Sequence, residues 1–228
     1  MADHVVHQSL RSESSITRQR LILLSPLVII LLGQLAARTV GPILGVWSWV
    51  PLNLGYWTMI IFLIGWGGGR QAIVQWLCPS QGGWLWPLLG IIIAVAPTVP
   101  MLFPNVWRYF LQVQIWLPTI FFVVINACAE EGYWRGLLLD AVGNKNKWLA
   151  VLYSSVLFTI NHMWISVMVI GARNPMASIY QFVFAVIMSI TYLKTRSLRW
   201  PLAAHFLANL LTPTVAVFLN LYIPGVPS

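Results

Sequence analysis

Seven long apolar stretches run along the chain, at about 20–37, 54–69, 84–103, 113–141, 148–170, 176–194 and 200–222, separated by short links richer in polar residues, glycine and proline. Each approaches the ~20 residues that a helix needs to cross a ~30 Å hydrocarbon core, and the fourth exceeds it. Residues 38–53 are apolar but interrupted by Pro42, Pro51 and glycines, and they read as a loop, a re-entrant piece or an additional short span. The predicted fold is an all-α, polytopic transmembrane helix bundle of seven to eight spans. Residues 21–37 follow a polar segment and end on Ala36-Ala37-Arg38, which superficially resembles a secretory signal. That run is longer than a usual signal core, which favours a first transmembrane helix.

Composition supports the membrane reading. Hydrophobic residues make up 59% of the 228 and charged residues only 8%, against roughly 25% charged in a soluble protein. Mean hydropathy is +0.79. The net charge of +8 would suit nucleic acid, but its distribution along the chain excludes that partner. Arg11, Arg18, Arg20, Arg70, Lys145, Lys147, Lys194, Arg196 and Arg199 fall on one side of the predicted spans, and Arg38, Arg108 and Arg173 on the other. The positive-inside rule then sets the N-terminus in the cytoplasm and, with seven spans, the C-terminus outside. Tryptophans cluster near the span ends (Trp76, Trp84, Trp86, Trp107, Trp148, Trp200), where indole rings favour the interface. Cys78, in a predicted cytoplasmic loop, and Cys128, within the fourth span, suggest neither a disulfide nor a metal site. The expected organisation is a cytoplasmic segment at 1–20, N-terminal transmembrane helices over 21–110, and a core over 111–228.

That core carries the candidate chemistry. Beyond residue 13 only three acidic residues remain, and two of them, Glu130 and Glu131, are adjacent inside the fourth span. An intramembrane carboxylate is costly and persists where it pairs, lines a wet cavity or does chemistry. Adjacent helical residues point about 100° apart, so the two are expected to face different spots. Glu131 and Arg135 are spaced i, i+4 in the favourable acid-before-base order and read as a neutralising pair. Glu130 shares its face with Asn126, Tyr133 and Trp134 and has no in-helix cation. The plainer alternative is that these charges only join helices.

Histidines weigh against that alternative. His4 and His7 lie in the polar N-terminal segment, whereas His162 and His205 lie deep in the fifth and seventh spans. Glu130 precedes Gly143 by 13 residues, His162 follows Lys147 by 15, and His205 follows Arg199 by 6. At 1.5 Å per residue these are roughly 20, 22 and 9 Å from the predicted cytoplasmic loops, compatible with convergence in the cytoplasmic half. Asn209, four residues after His205, faces the same way and offers a second donor. Phe158, four before His162, is placed to pack against its ring. Asn126 and Asn161 read as helix–helix hydrogen-bonding groups, and Asp140 as interfacial.

Taken in order, Glu130-Glu131-x-x-x-Arg135, Phe158-x-x-x-His162 and His205-x-x-x-Asn209 resemble the CPBP family, the CAAX prenyl endopeptidases and bacteriocin-processing (Abi) membrane proteases. Each motif alone is weak; all three, on separate apolar spans, are far more specific. The resemblance covers roughly 115–215, with no motif position departing from the pattern. It implies an intramembrane endopeptidase working near the cytoplasmic face on a peptide or protein, lipidated or not. By position, Glu130 would be the general base, His162 would help hold the water, and His205 and Asn209 would stabilise the oxyanion. Glu131, Arg135 and Phe158 would support them. The metal-free version needs no cofactor. A zinc-dependent version would use Glu130, His162 and His205 as ligands, although no H-E-x-x-H is present. Two rivals from other classes are a proton- or cation-coupled transporter and a non-catalytic membrane scaffold. A bacterial plasma membrane is the expected location, with membrane lipids as surroundings.

Overall fold

The computed structural model describes residues 2–96, 113–143, 146–212 and 214–220, without the side chains of 2–15 and 113. Arg108, Trp107, Lys145, residues 97–103 of the expected span at 84–103 and the end of the last span lie outside the described residues, as do the side chains of His4, His7 and Arg11. Among the described residues every regular element is helical, giving an all-α membrane bundle. The helices are α1 (Ala2–Leu44), α2 (Trp49–Gly67), α3 (Gly69–Trp76), α4 (Leu85–Val95), α5 (Val113–Glu130), α6 (Leu138–Val142), α7 (Lys147–His162), α8 (Pro175–Thr195), α9 (Arg199–Leu211) and α10 (Thr214–Phe218). A π-helical segment, Glu131–Leu137, joins α5 to α6.

Four stretches are long and apolar enough to cross a membrane: Ile16–Gly67, Gln114–Val142, Lys147–Val167 and Pro175–Thr195. The first contains two expected spans. Its 38–53 portion is helical through Leu44, turns through the 3-10 segment Gly45–Ser48, and resumes as α2. Gly45 takes φ +56°, a left-handed conformation cheap only for glycine, and it breaks the stretch into two helices that lie against each other. The last expected span, 200–222, divides into α9 and α10, each shorter than a crossing.

Pro26 sits inside α1 and cannot donate to the carbonyl four residues earlier, that of Ile22. Ser25 Oγ donates to that oxygen at 2.7 Å and meets Tyr133 Oη at 2.7 Å, so the break is repaired and α1 is tied to the π segment.

The bundle has two distinct ends. At one, Gln81 N donates to Thr195 O (2.8 Å), Leu198 N to Trp76 O (2.7 Å), Ser197 Oγ to Cys78 O (2.7 Å) and Arg199 Nε to Leu77 O (2.8 Å). Asp140, which the sequence presents as merely interfacial, accepts from Trp76 Nε1 and from Tyr192 Oη, both at 2.8 Å, and so joins α3, α6 and α8 there. At the opposite end, Ser48 Oγ approaches Met168 Sδ at 3.1 Å, and Asn220 bonds both Ile170 N and Met168 O. Arg18, Arg20, Arg70, Lys147, Lys194, Arg196 and Arg199 belong to the first end, hereafter the basic end.

Candidate active site

Glu130 is the last residue of α5 and only 2% exposed. A carboxylate so deeply buried has to be hydrogen-bonded or paired to be tolerated. Tyr56 Oη donates to Oε1 at 2.9 Å, and Asn126 Nδ2 donates to Oε2 at 3.1 Å. Both donors are themselves held. Trp134 Nε1 donates to Tyr56 Oη, and Trp57 Nε1 to Asn126 Oδ1, each at 2.9 Å. The adjacent residues Tyr56 and Trp57 of α2 thus brace the carboxylate, one directly and one through Asn126. Sequence reading missed both. Aromatic rings with polar tips beside Asn53, at the start of the second expected span, were the available signal, but the same residue types also form interfacial belts.

The two histidines flank Glu130. His162 Nε2 lies 3.8 Å from Oε1, and His205 Nε2 lies 3.4 Å from Oε2. His162 closes α7, its Nδ1 is 2.8 Å from Phe158 O, and its ring centroid is 4.2 Å from that of Phe158. Arg135 Cζ stands 4.3 Å from the centroid of the Phe158 ring, so this phenylalanine separates a guanidinium from an imidazole. Asn209, one turn beyond His205 on α9, has a buried Nδ2 with no partner among the described residues. An orphaned amide donor beside a cavity is expensive unless a ligand or water satisfies it.

Glu131 is fully buried and bonds Arg135 Nη1 at 3.0 Å. The same oxygen, Oε1, lies 2.6 Å from His205 Nδ1. The adjacent glutamates face different spots, Glu130 the cavity and Glu131 the space behind it, yet both reach one ring: His205 meets Glu130 with one nitrogen and Glu131 with the other. The π segment begins at Glu131 and changes the angle between successive side chains. Its backbone deviation is supported from outside, because Ser154 Oγ donates to Trp134 O at 2.9 Å. Gly132 and Gly136 admit close neighbours: a Cβ on them would come within 3.0 Å of Ile64 and 2.8 Å of the Trp76 ring. Tyr133, expected on the Glu130 face, turns instead to Ser25 on α1. Asn161, expected to bridge helices, leaves Oδ1 unpartnered among the described residues and lines the cavity.

Glu130, Phe158, His162, His205 and Asn209 all line one cavity of about 900 Å³. Glu131 and Arg135 lie behind its wall. Among the described residues, no group of three His, Cys, Asp or Glu side chains is arranged to hold a metal ion. Both Glu130 oxygens already accept hydrogen bonds.

Residues 112–211 match the family model of the Rce1-like type II CAAX prenyl endopeptidases. Neither the curated proteins nor the solved structures contain a match to this chain. The matched stretch includes the acidic pair, Arg135, Phe158, both intramembrane histidines and Asn209, whereas Tyr56 and Trp57 lie outside it. The chain is therefore an integral membrane protein whose residues 112–211 match the Rce1-like type II CAAX prenyl endopeptidase model, consistent with the CPBP family of intramembrane proteases.

Proposed function

We propose that the protein hydrolyses a peptide bond of a peptide or protein substrate with a water molecule activated by Glu130, without a metal. One observation carries this reading: a braced carboxylate, two imidazoles and an unpartnered amide donor border the same buried cavity. In the proposed cycle the water sits between Glu130 Oε1 and His162 Nε2, a gap of 3.8 Å that lets one oxygen atom contact both. Glu130 takes a proton as the water oxygen bonds to the scissile carbonyl carbon. The carbonyl oxygen becomes an oxyanion and accepts from Asn209 Nδ2 and His205 Nε2. Glu131, accepting from His205 Nδ1, leaves Nε2 to face the oxyanion when the ring carries both protons. Glu130 then returns its proton to the departing nitrogen as the C–N bond breaks.

The arrangement supports a metal-free site better than a zinc site, because among the described residues no group of three His, Cys, Asp or Glu side chains is arranged to hold a metal ion. The proposed organisation places catalysis within 111–228, with 21–110 supplying the Tyr56 and Trp57 brace. The test is Glu130→Gln on the purified protein with a peptide substrate. Cleavage should disappear while the melting temperature is kept, whereas a scaffold would keep its phenotype and a fully active variant would sink the assignment. Stoichiometric zinc whose chelation abolishes turnover would overturn the metal-free part alone.

A further inference from the structure

Two tiers of side chains line the cavity on α7, α8 and α9. The first tier is aromatic. The rings of Phe158 on α7 and Phe184 on α8 lie 4.3 and 6.0 Å from Arg135 Cζ, and Phe184 meets the His205 ring of α9 edge-on at 5.3 Å. Helices α7 and α9 begin at the basic end and α8 finishes there. One turn further from that end therefore leads to Asn161 and His162 on α7, Tyr180 on α8 and Asn209 on α9. All four line the cavity. Packing holds Tyr180 at this level: its ring centroid is 6.0 Å from that of Phe184, and it rests on the cluster that includes Met188, Ala204 and Ala208.

This second tier leaves three buried polar atoms without a partner among the described residues: Asn161 Oδ1, Tyr180 Oη and Asn209 Nδ2. Asn209 serves the oxyanion in the cycle above, whereas the other two have no part in it. Thr195, on the same helix as Tyr180, satisfies its hydroxyl on its own backbone, donating to Thr191 O at 2.7 Å. A tyrosine hydroxyl stands too far from its helix for that escape. Phenylalanine would fill the same space without an orphaned hydroxyl, so the oxygen of Tyr180 is a cost that needs a compensating partner.

We infer that Asn161 and Tyr180 bind the main chain of the substrate beside the scissile bond, Tyr180 Oη donating to a peptide carbonyl and Asn161 Oδ1 accepting from a peptide N–H. One donor and one acceptor are the complement of a peptide unit. Inside a bilayer, a segment unwound for cleavage has no water to satisfy its freed backbone groups, so the site must supply their partners. Ile165, Val169, Val217 and Phe218 surround the two polar groups with apolar wall. The substrate class is then an extended polypeptide segment with apolar side chains, held chiefly through its backbone. This rests on the endopeptidase reading above and adds how that site grips its substrate.

Tyr180→Phe and Asn161→Leu test this in the purified full-length protein. The probe is an internally quenched decapeptide of alanine and leucine; for binding, a singly labelled copy is titrated against Glu130→Gln protein. Each variant should raise KM ~5- to 30-fold with kcat barely changed, and should weaken binding in the Glu130→Gln background by the same factor. Tyr180→Phe removes an atom that bonds nothing among the described residues, so its melting temperature should hold or rise. Replacing the peptide's amides by esters one at a time removes single N–H groups. One such ester should weaken binding to Glu130→Gln protein but not to the Glu130→Gln, Asn161→Leu double variant. Unchanged KM and binding in both variants overturn the proposal, as does an ester series that the double variant discriminates as well as its parent. Binding that weakens as expected, on a peptide that the unaltered protein does not cleave, would keep this site and sink the endopeptidase reading alone.

Discussion

His205 Nδ1 lies 2.6 Å from Glu131 Oε1, the oxygen that also accepts from Arg135. Glu131 is therefore more than the neutralising partner of an intramembrane arginine. It fixes which way the His205 ring points and which nitrogen faces Glu130. The acidic pair divides its work: one carboxylate borders the cavity, and its neighbour holds the apparatus behind it.

This division predicts opposite outcomes for the two conservative substitutions. Glu131→Gln leaves a fully buried Arg135 without its carboxylate, and removing one partner of a buried pair costs ~3–5 kcal/mol. Glu130→Gln keeps the Glu131–Arg135 pair. Thermal unfolding of both variants in detergent should show Glu131→Gln as clearly the less stable. Equal melting temperatures would refute the division.

Asn209→Ala separates catalysis from structure differently. Nδ2 has no hydrogen bond among the described residues, so its deletion breaks none that it donates there. Removing an oxyanion donor typically lowers kcat ~10²–10³-fold. The expected result is a drop of that order with an unchanged melting temperature and little change in KM. A marked loss of stability with modest kinetic effect would make the amide a structural group.

Tyr56→Phe removes one oxygen atom and two bonds, that to Glu130 and that from Trp134. A hydrogen bond to a charged group contributes ~1.5–3 kcal/mol. If the bond holds Glu130 for attack, kcat falls by ~10- to 100-fold. Steady-state kinetics on this variant check whether the N-terminal half completes the site. Unaltered kcat would confine the chemistry to the 112–211 domain.

Much of the bundle was legible because apolar runs of membrane length leave helix as their only economical conformation. The runs at 113–141, 148–170 and 176–194 coincide with helical stretches of crossing length. Local backbone events were not legible. At 38–53 the prolines suggested a break, but Ser25 shows how a side chain compensates for a proline, and the actual reversal occurs at Gly45. The motif positions gave Glu130, His162, His205 and Asn209 as lining one space. The Glu131–His205 contact was hidden because the two residues are 74 positions apart on different helices. Tyr56 and Trp57 were hidden because their partners are 74 and 69 residues away.

The π segment also gives a prediction about close approach. A Cβ on Gly136 would lie 2.8–2.9 Å from three atoms of the Trp76 ring, which cannot withdraw. Its Nε1 is bound to Asp140, and its carbonyl accepts from Leu198. At Gly90 the corresponding contact is 2.9 Å from Met188 Cε, the free end of a flexible side chain that can swing aside. Overpacking against a fixed neighbour costs ~1–3 kcal/mol, whereas alanine in place of a helical glycine gains ~0.8–1.0 kcal/mol. Gly136→Ala should therefore lower the melting temperature, while Gly90→Ala leaves it unchanged or raises it. Because Gly136 belongs to the segment that carries Glu131, its substitution should also slow cleavage at temperatures where the protein remains folded. A Gly136→Ala protein as stable and as active as its Gly90→Ala counterpart would show that the Trp76 contact yields, and that the π segment does not depend on it.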